Sequence, residues 1–181
     1  MDSVLENVRY ERFNQQKHSV DRITDLLHEA YEPLYKAGLH YYAATQSPKA
    51  TLWRFLTGIG FVAMLKDEII GTVTYYSEYL DDDCSWYKRK EVCHFGQFAV
   101  QRRYQRQGIG RALIEMMERK ALNERKKELA LDTSEKAEEL IEYYERRGFR
   151  KVDLVQWDVT NYRSIVMSKT LEAKTTATSG G

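Results

Sequence analysis

The segment 98–113 constrains the fold of this chain more than any other. Its first three residues, Phe98, Ala99 and Val100, are apolar and end a β-forming run, whereas the polar residues 101–107 cannot continue a buried strand. After Gly108, apolar residues recur at helical spacing with charges between them. The segment therefore predicts a buried strand, a polar turn and a helix that begins at two glycines.

The first turn of such a helix is suited to binding a pyrophosphate. Its backbone N–H groups have no partner inside the helix, and the helix dipole adds about half a positive charge at the same end. Gly108 and Gly110 lack a Cβ, so an anion can approach the backbone closely. Arg106 and Arg111 are placed to add charge-assisted hydrogen bonds to phosphate oxygens. The turn could therefore hold a pyrophosphate without a metal ion.

Two other phosphate-binding loops fit these residues poorly. A Walker loop needs Gly-Lys-Ser/Thr after its spacer, whereas Arg111 and Ala112 follow Gly110 here. A dinucleotide-binding fingerprint needs a third glycine, and Leu113 occupies that position. On the glycines alone, a strand-to-helix turn in which they serve only the backbone geometry stays open.

The whole segment resembles the acetyl-CoA-binding motif of the GNAT superfamily of N-acetyltransferases, Gln/Arg-x-x-Gly-x-Gly/Ala. Residues 105–110 read Gln-Arg-Gln-Gly-Ile-Gly, and 98–100 are similar to the Leu-Ala-Val strand end of that family. Residues 143–149, Tyr-Tyr-Glu-Arg-Arg-Gly-Phe, resemble its Tyr-x-x-x-Gly-Phe helix end. Two matches in the correct order are more specific than either alone, and the resemblance spans roughly residues 5–170.

The resemblance implies the GNAT fold, an α/β (α+β) architecture. Its central mixed, mostly antiparallel sheet has six to seven strands, is splayed in the middle and is flanked by about four helices. The hydropathy pattern agrees, because it predicts strand, two helices, three strands, helix, strand, helix and two strands in that order. Pro33 is expected to kink or end the first helix. We expect one N-acetyltransferase domain over 1–171 and a disordered tail at 172–181.

The resemblance also implies a cofactor, acetyl-CoA, and direct transfer of its acetyl group to a primary amine of a small molecule or peptide in a ternary complex. Main-chain groups of Phe98 and Val100 are expected to pair with pantetheine in the gap of the sheet. The expected coenzyme-binding residues are Phe98, Ala99, Val100, Gln105, Arg106, Gln107, Gly108, Ile109, Gly110, Arg111 and Tyr144.

Two residues are expected to carry the chemistry. Tyr144 lies four residues before Gly148, where the family has its acid tyrosine, and it would protonate or hydrogen-bond the leaving sulfur. A phenol pKa of about 10 against a thiol pKa of about 8.5 makes full proton transfer uphill by roughly 2 kcal/mol. His94 is the expected base, because an imidazole is largely neutral at pH 7. Glu91, a water positioned by Gln97, or water alone stay open as alternatives.

The chain departs from the family pattern in one part of the pocket. Many relatives have an asparagine seven residues before the tyrosine, where this chain has Ala137, and Leu140 replaces the usual alanine. Contacts from 132–134 are the expected replacement. The acceptor site is expected between the first two helices and the loop 77–90, and the residues considered for it are Tyr41, Tyr42, Thr45, Gln46, Trp53, Trp86, Tyr87 and the acidic run 81–83.

Composition excludes several other classes of protein. The net charge of +1 argues against a broad basic surface for nucleic acid. Cys84 and Cys93 form neither a disulfide framework nor a zinc site, so no metal is expected. No signal peptide or membrane span is visible, which favours a cytoplasmic protein without a membrane partner. A homodimer, a non-catalytic acyl-CoA sensor of the same fold and a regulatory domain that binds ATP or NAD all stay open.

Overall fold

The computed structural model describes residues 4–79 and 83–172, which form a seven-stranded sheet flanked by four α-helices. The strands are β1 (Val8–Arg12), β2 (Ile59–Leu65), β3 (Glu68–Tyr76), β4 (Val92–Val100), β5 (Glu128–Ser134), β6 (Arg150–Gln156) and β7 (Arg163–Thr170). The helices are α1 (Val20–Lys36), α2 (Pro48–Thr57), α3 (Ile109–Asn123) and α4 (Glu138–Glu145). Except for Glu172, the predicted tail lies outside the described residues, and so do residues 80–82.

The sheet is splayed between β4 and β5. Its order is β1-β2-β3-β4-β5-β7-β6, and every neighbouring pair is antiparallel except β4 and β5. These two parallel strands pair only where Val92, Cys93 and His94 lie opposite residues 128–130. Beyond His94 they separate and leave a gap. The predicted mixed, mostly antiparallel and centrally splayed sheet is confirmed.

Apolar layers cover both faces of the sheet and fix β4 between them. On one face, α3 buries Ile109, Leu113 and Met117 against strand residues that include Phe95. On the other face, α1 and α2 pack with β2 and the end of β4, in a cluster formed by Ile23, Leu26, Leu27, Ala43, Phe55, Val62, Met64 and Ala99. Because fully burying one such side chain contributes about 1.5–3 kcal/mol, the two layers hold the open end of β4 firmly.

The first helix differs from the sequence prediction at its end. Pro33 was expected to kink or end the helix, but α1 continues to Lys36, and the N–H of Ala37 donates to the Pro33 carbonyl at 3.0 Å. Proline lacks only its own N–H, so in the last turn it removes one hydrogen bond without stopping the helix.

Candidate active site

The turn between β4 and α3 presents a run of unpaired backbone donors. Gly108 precedes the helix in the left-handed conformation with φ 91°, and Arg106 has φ 60°. Within the described part of the chain, the backbone N–H groups of residues 106–111 donate to no acceptor. Consecutive N–H groups around left-handed residues, at the positive end of a helix dipole, form a cavity suited to an anion. The expected pyrophosphate turn therefore has the donors that such a ligand needs.

The glutamine side chains of this turn brace it from inside. Gln105 donates through Nε2 to the Val100 carbonyl at 3.0 Å, and Gln107 donates to the Arg103 carbonyl at 3.0 Å. Arg111 lies 3.5 Å from the Glu115 carboxylate, and both side chains are well exposed. Arg106 is also exposed. Both arginines considered for phosphate contacts therefore remain accessible to a ligand in solvent.

Gly110 packs closely against its neighbours. A Cβ at this position would lie 3.0 Å from the Tyr143 hydroxyl and 3.2 Å from Cζ of Phe98. The glycine therefore lets α3 approach both α4 and β4. Gly108 adopts the left-handed conformation of the turn, and Gly110 allows the close packing. Both glycines therefore also serve the backbone geometry, which is the alternative that the sequence left open.

The open edge of β4 faces the gap. Ala99 pairs with Thr72 of β3, and alternate residues of a strand direct their main-chain groups to opposite sides. Phe98 and Val100 therefore direct theirs toward the gap, where β5 no longer provides a partner. The Tyr31 hydroxyl donates to the Phe98 carbonyl at 3.0 Å. Tyr31 and Gln105 thus each donate to one carbonyl of this edge, which leaves the N–H groups of Phe98 and Val100 as its donors for an extended ligand.

Tyr144 is buried on α4 at 6% exposure. Its ring makes edge contacts with Phe95 and Phe149, at centroid distances of 6.4 and 5.9 Å. Burial raises the pKa of Tyr144 well above its ordinary value, and nearby groups that include Tyr31 and Asp132 raise it further. The phenol is therefore protonated at neutral pH and can only donate its proton in a hydrogen bond to a leaving group.

His94 lies in an aromatic stack on β4. Its ring centroid is 4.8 Å from that of Tyr76 and 4.2 Å from that of Tyr87, with nearly parallel planes. Burial, followed by the positive charge of Arg54, lowers the pKa of His94 to about 3. The imidazole is therefore neutral at physiological pH, but it is a weak acceptor of a proton.

Asp132 lies in the segment 132–134 that was expected to replace the family's asparagine, but its hydrogen-bond partners were not predicted. It lies on β5 two residues beyond Ala130, the last residue paired with β4. The Tyr87 hydroxyl donates to Oδ1 at 3.0 Å, and Nε1 of Trp157 donates to Oδ2 at 2.8 Å. The only sequence signal was an aspartate near the end of the apolar run 129–131, because both donors come from distant parts of the chain.

Two of the residues considered for the acceptor site lie at the gap. The Tyr41 hydroxyl is 2.8 Å from Thr133 Oγ1 and accepts the Ser134 N–H at 3.0 Å, while Tyr87 contacts Asp132. By contrast, the side chains of Tyr42 and Trp53 are 38% and 64% exposed, and the Trp86 ring packs against the Arg89 guanidinium at 4.2 Å instead of contacting Asp132 or His94. Tyr41 and Tyr87 are therefore brought together with the predicted catalytic residues.

The buried amides and the remaining candidates have other partners. Gln97 forms a bulge in β4 with φ 47°, and its Oε1 accepts from Nε2 of Gln46 at 2.6 Å. The Gln97 amide also donates to Thr74 Oγ1 at 2.9 Å, so protein groups occupy it on both sides. Glu91 is paired with Arg89 at 2.7 Å. These contacts give Gln97 and Glu91 structural roles.

The two cysteines are poorly suited to forming an acetyl-enzyme intermediate. Cys84 and Cys93 are free and buried, and burial raises the pKa of each to about 11. A thiol of this kind is scarcely ionised at pH 7 and is a poor nucleophile. Among the described residues, no cluster of His, Cys, Asp or Glu could hold a metal ion, and no helix is long and apolar enough to cross a bilayer.

The sequence model of the Acetyltransferase (GNAT) family matches residues 20–149. The chain therefore belongs to the GNAT acetyltransferase family, whose members use acetyl-CoA. A comparison with curated proteins finds no match.

Solved structures of the same fold support this assignment. A protein of Pyrococcus horikoshii OT3 is 20% identical, with a TM-score of 0.70 over 92% of this chain and 99% of that one. A GNAT family acetyltransferase of Elizabethkingia anophelis with acetyl-CoA bound is 20% identical, with a TM-score of 0.64 over the same shares. The ribosomal-protein-S18-alanine N-acetyltransferase of Escherichia coli is 15% identical, with a TM-score of 0.66 over 92% and 95%.

Proposed function

We propose that this acetyltransferase moves the acetyl group of acetyl-CoA to a primary amine of a small molecule or peptide, by direct transfer in a ternary complex. The observation that carries the proposal is the run of unpaired N–H groups at 106–111 beside the open edge of β4. An anionic, extended ligand such as coenzyme A matches both features at once.

The coenzyme roles follow the geometry of the turn. The N–H groups of Arg106, Gln107, Gly108, Ile109, Gly110 and Arg111 bind the diphosphate, and the two arginine side chains add charge. Gln105 holds the turn against Val100. Phe98 and Val100 pair with pantetheine through their main-chain groups, while Ala99 keeps β4 joined to β3.

The acetyl transfer itself forms one bond and breaks another. The amine nitrogen attacks the thioester carbon, its C–N bond forms, and the C–S bond then breaks to release the coenzyme thiolate. The N–H groups that β4 directs into the gap can donate to the carbonyl oxygen as negative charge develops there. Because burial raises the pKa of Tyr144, its hydroxyl contributes by hydrogen-bonding the departing sulfur more readily than by giving up its proton.

Which group accepts the proton of the attacking amine stays a prediction. His94 is neutral and can accept a hydrogen bond, but with its pKa lowered to about 3 it holds a proton weakly. For an α-amine, a fraction of which is already neutral at pH 7, water is a sufficient acceptor. The cytoplasmic location and the homodimer stay predictions as well.

The substitution Tyr144→Phe tests the proposal. Acetyl-CoA binding is measured by calorimetry, and thiol release is measured with polyamines, aminoglycosides, amino acids and peptides. We expect turnover to fall about 10- to 100-fold while the Kd for acetyl-CoA changes less than about two-fold, since the lost hydrogen bond forms to a developing charge. Tyr10→Phe is the matched control, because the Tyr10 hydroxyl is buried on β1 and has no hydrogen-bond partner in the described part of the chain.

Three outcomes would contradict parts of this proposal. Equal turnover in Tyr144→Phe removes the tyrosine from the mechanism. Tight acetyl-CoA binding without thiol release for any amine favours the sensor function. Binding of ATP or NAD in place of acetyl-CoA contradicts the coenzyme site.

A further inference from the structure

The carboxylate of Asp132 is a negative charge at the gap that no described lysine, arginine or histidine pairs with. Its two hydrogen-bond donors, Tyr87 and Trp157, are both neutral. Each donates to a different oxygen, so each oxygen keeps a lone pair for a further donor. The two hydrogen bonds therefore orient the carboxylate, but no described cationic side chain neutralises its charge, which is unusual for a half-buried carboxylate.

Aromatic packing fixes the two donors. The Tyr87 ring stacks on His94 with centroids 4.2 Å apart and lies nearly parallel to Trp157 at 6.4 Å. Tyr79 makes edge contacts with Tyr87 at 5.4 Å and with Trp157 at 6.3 Å. Since packing already restricts the rings, their hydrogen bonds hold Asp132 at little further cost in entropy.

The carboxylate lies near the proposed acid. Asp132 follows Ala130, where β4 and β5 separate, and its negative charge raises the pKa of Tyr144 and of Tyr41. The other groups whose pKa this charge raises are Tyr31, Tyr87, Tyr162 and Cys84. All of these groups are neutral at pH 7, whereas Arg54 lies close enough to His94 to lower the pKa of that imidazole. A cation that enters the gap therefore meets Asp132 as its strongest attraction.

We propose that Asp132 binds the ammonium form of the acceptor, so that the acceptors are cationic primary amines, and that Tyr87 and Trp157 are positioning residues for this carboxylate. The bound ammonium gives one proton to water before its nitrogen attacks the thioester carbon, because only the neutral amine has a free lone pair. An ammonium group has three donors, and it can satisfy the free lone pairs of both carboxylate oxygens. The inference rests on the proposed function, because it names the substrate class of the same site.

The test compares cationic and neutral amines. Thiol release from acetyl-CoA is measured with spermidine, kanamycin and lysine amide, which are cationic at pH 7, and with aniline, which is neutral. The variants are Asp132→Asn, Tyr87→Phe and Trp157→Phe. Trp86→Phe is the matched control, since the indole N–H of Trp86 is buried in the same aromatic cluster and no described residue accepts from it.

We expect Asp132→Asn to lower kcat/KM for the best cationic amine about 100-fold, because a partly desolvated charge pair is lost. Tyr87→Phe and Trp157→Phe should lower it about 10-fold, mainly through KM, since each removes one hydrogen bond to the charged group. In all variants, the rate with aniline and the Kd for acetyl-CoA should change less than about two-fold. For the control Trp86→Phe, kcat/KM for the cationic amine should also change less than about two-fold.

The contradicting results are separable from a failure of the proposed function. Unchanged discrimination between cationic and neutral amines in Asp132→Asn, with acetyl-CoA still bound, overturns this inference alone. A higher kcat/KM of the wild-type protein for aniline than for the cationic amines also overturns this inference alone. Absence of thiol release with every amine overturns both proposals. If Trp86→Phe has the same effect as Trp157→Phe, the two donors act through packing and the positioning role is overturned.

Discussion

Replacing His94 with phenylalanine should flatten the pH dependence of stability. In the folded protein, burial and Arg54 lower the pKa of His94 from 6.5 to about 3. Between these two values the unfolded chain binds a proton that the folded chain does not, so stability falls as the pH is lowered through this window. Phenylalanine keeps an aromatic ring between Tyr76 and Tyr87 but has no proton to bind.

The size of the effect follows from the same pKa values. One unmatched proton gives a slope of about 1.4 kcal/mol per pH unit, and the unfolded imidazole is mostly neutral at pH 7. Lowering the pH from 7 to 5 should therefore cost the wild-type protein about 2 kcal/mol through His94 alone. The other three histidines are present in both proteins, so their contributions cancel in the comparison.

Urea unfolding followed by circular dichroism at pH 7 and pH 5 measures this difference. The loss of unfolding free energy between the two pH values should be about 2 kcal/mol smaller in His94→Phe than in the wild-type protein. His40→Phe is the matched control, because His40 is an exposed histidine stacked on Tyr35 at 4.6 Å. Equal pH dependence in wild type and His94→Phe would refute the buried, neutral state of this imidazole.

Two further substitutions test the geometry around the gap and the sheet. Gly108→Ala should weaken acetyl-CoA binding about 5- to 30-fold, because alanine at φ 91° costs about 1–2 kcal/mol and displaces the turn. Calorimetry with Ala112→Gly as control measures this change, and equal affinity contradicts the left-handed turn as the binding conformation. Arg150→Met should lower the free energy of unfolding measured in urea by about 1–3 kcal/mol, since it removes the contacts of Arg150 with both carboxylate oxygens of Glu128, at 3.1 and 3.2 Å. A change below about 0.5 kcal/mol contradicts this prediction.

The sequence predicted the elements well because their signals are local. The apolar residues 98–100 were expected to end a buried strand, and β4 ends at Val100. Ser47 before Pro48 is a typical helix start, and Ser47 accepts the Ala50 N–H at the beginning of α2. Local signals do not show where a strand continues by pairing: the polar residues Thr133 and Ser134 still belong to β5, because β7 pairs with it throughout. Ala137 stands at the N-cap position of α4 without a side-chain hydrogen bond, and Ser134 Oγ accepts the Lys136 N–H before the helix begins.

The site was only partly predictable, for a related reason. Gly108 and Gly110 carry their signal in the local motif, so the turn could be located from sequence. The environment of His94 depends on Tyr76 and Tyr87, which only the tertiary structure brings together. Asp132 gains its donors in the same way, and a sequence does not show how long-range packing shifts a pKa or orients a carboxylate.

The central claim is that the N–H groups at 106–111 and the open edge of β4 hold acetyl-CoA. Titrating ¹⁵N-labelled protein with acetyl-CoA and following its backbone amide resonances by NMR tests this directly. The account predicts large shifts at Gly108, Ile109 and Gly110, with further shifts at Phe98 and Val100, and small shifts in the distant β1–β2 region. Saturating binding that leaves these five amides unchanged, or shifts confined to another part of the chain, would contradict it.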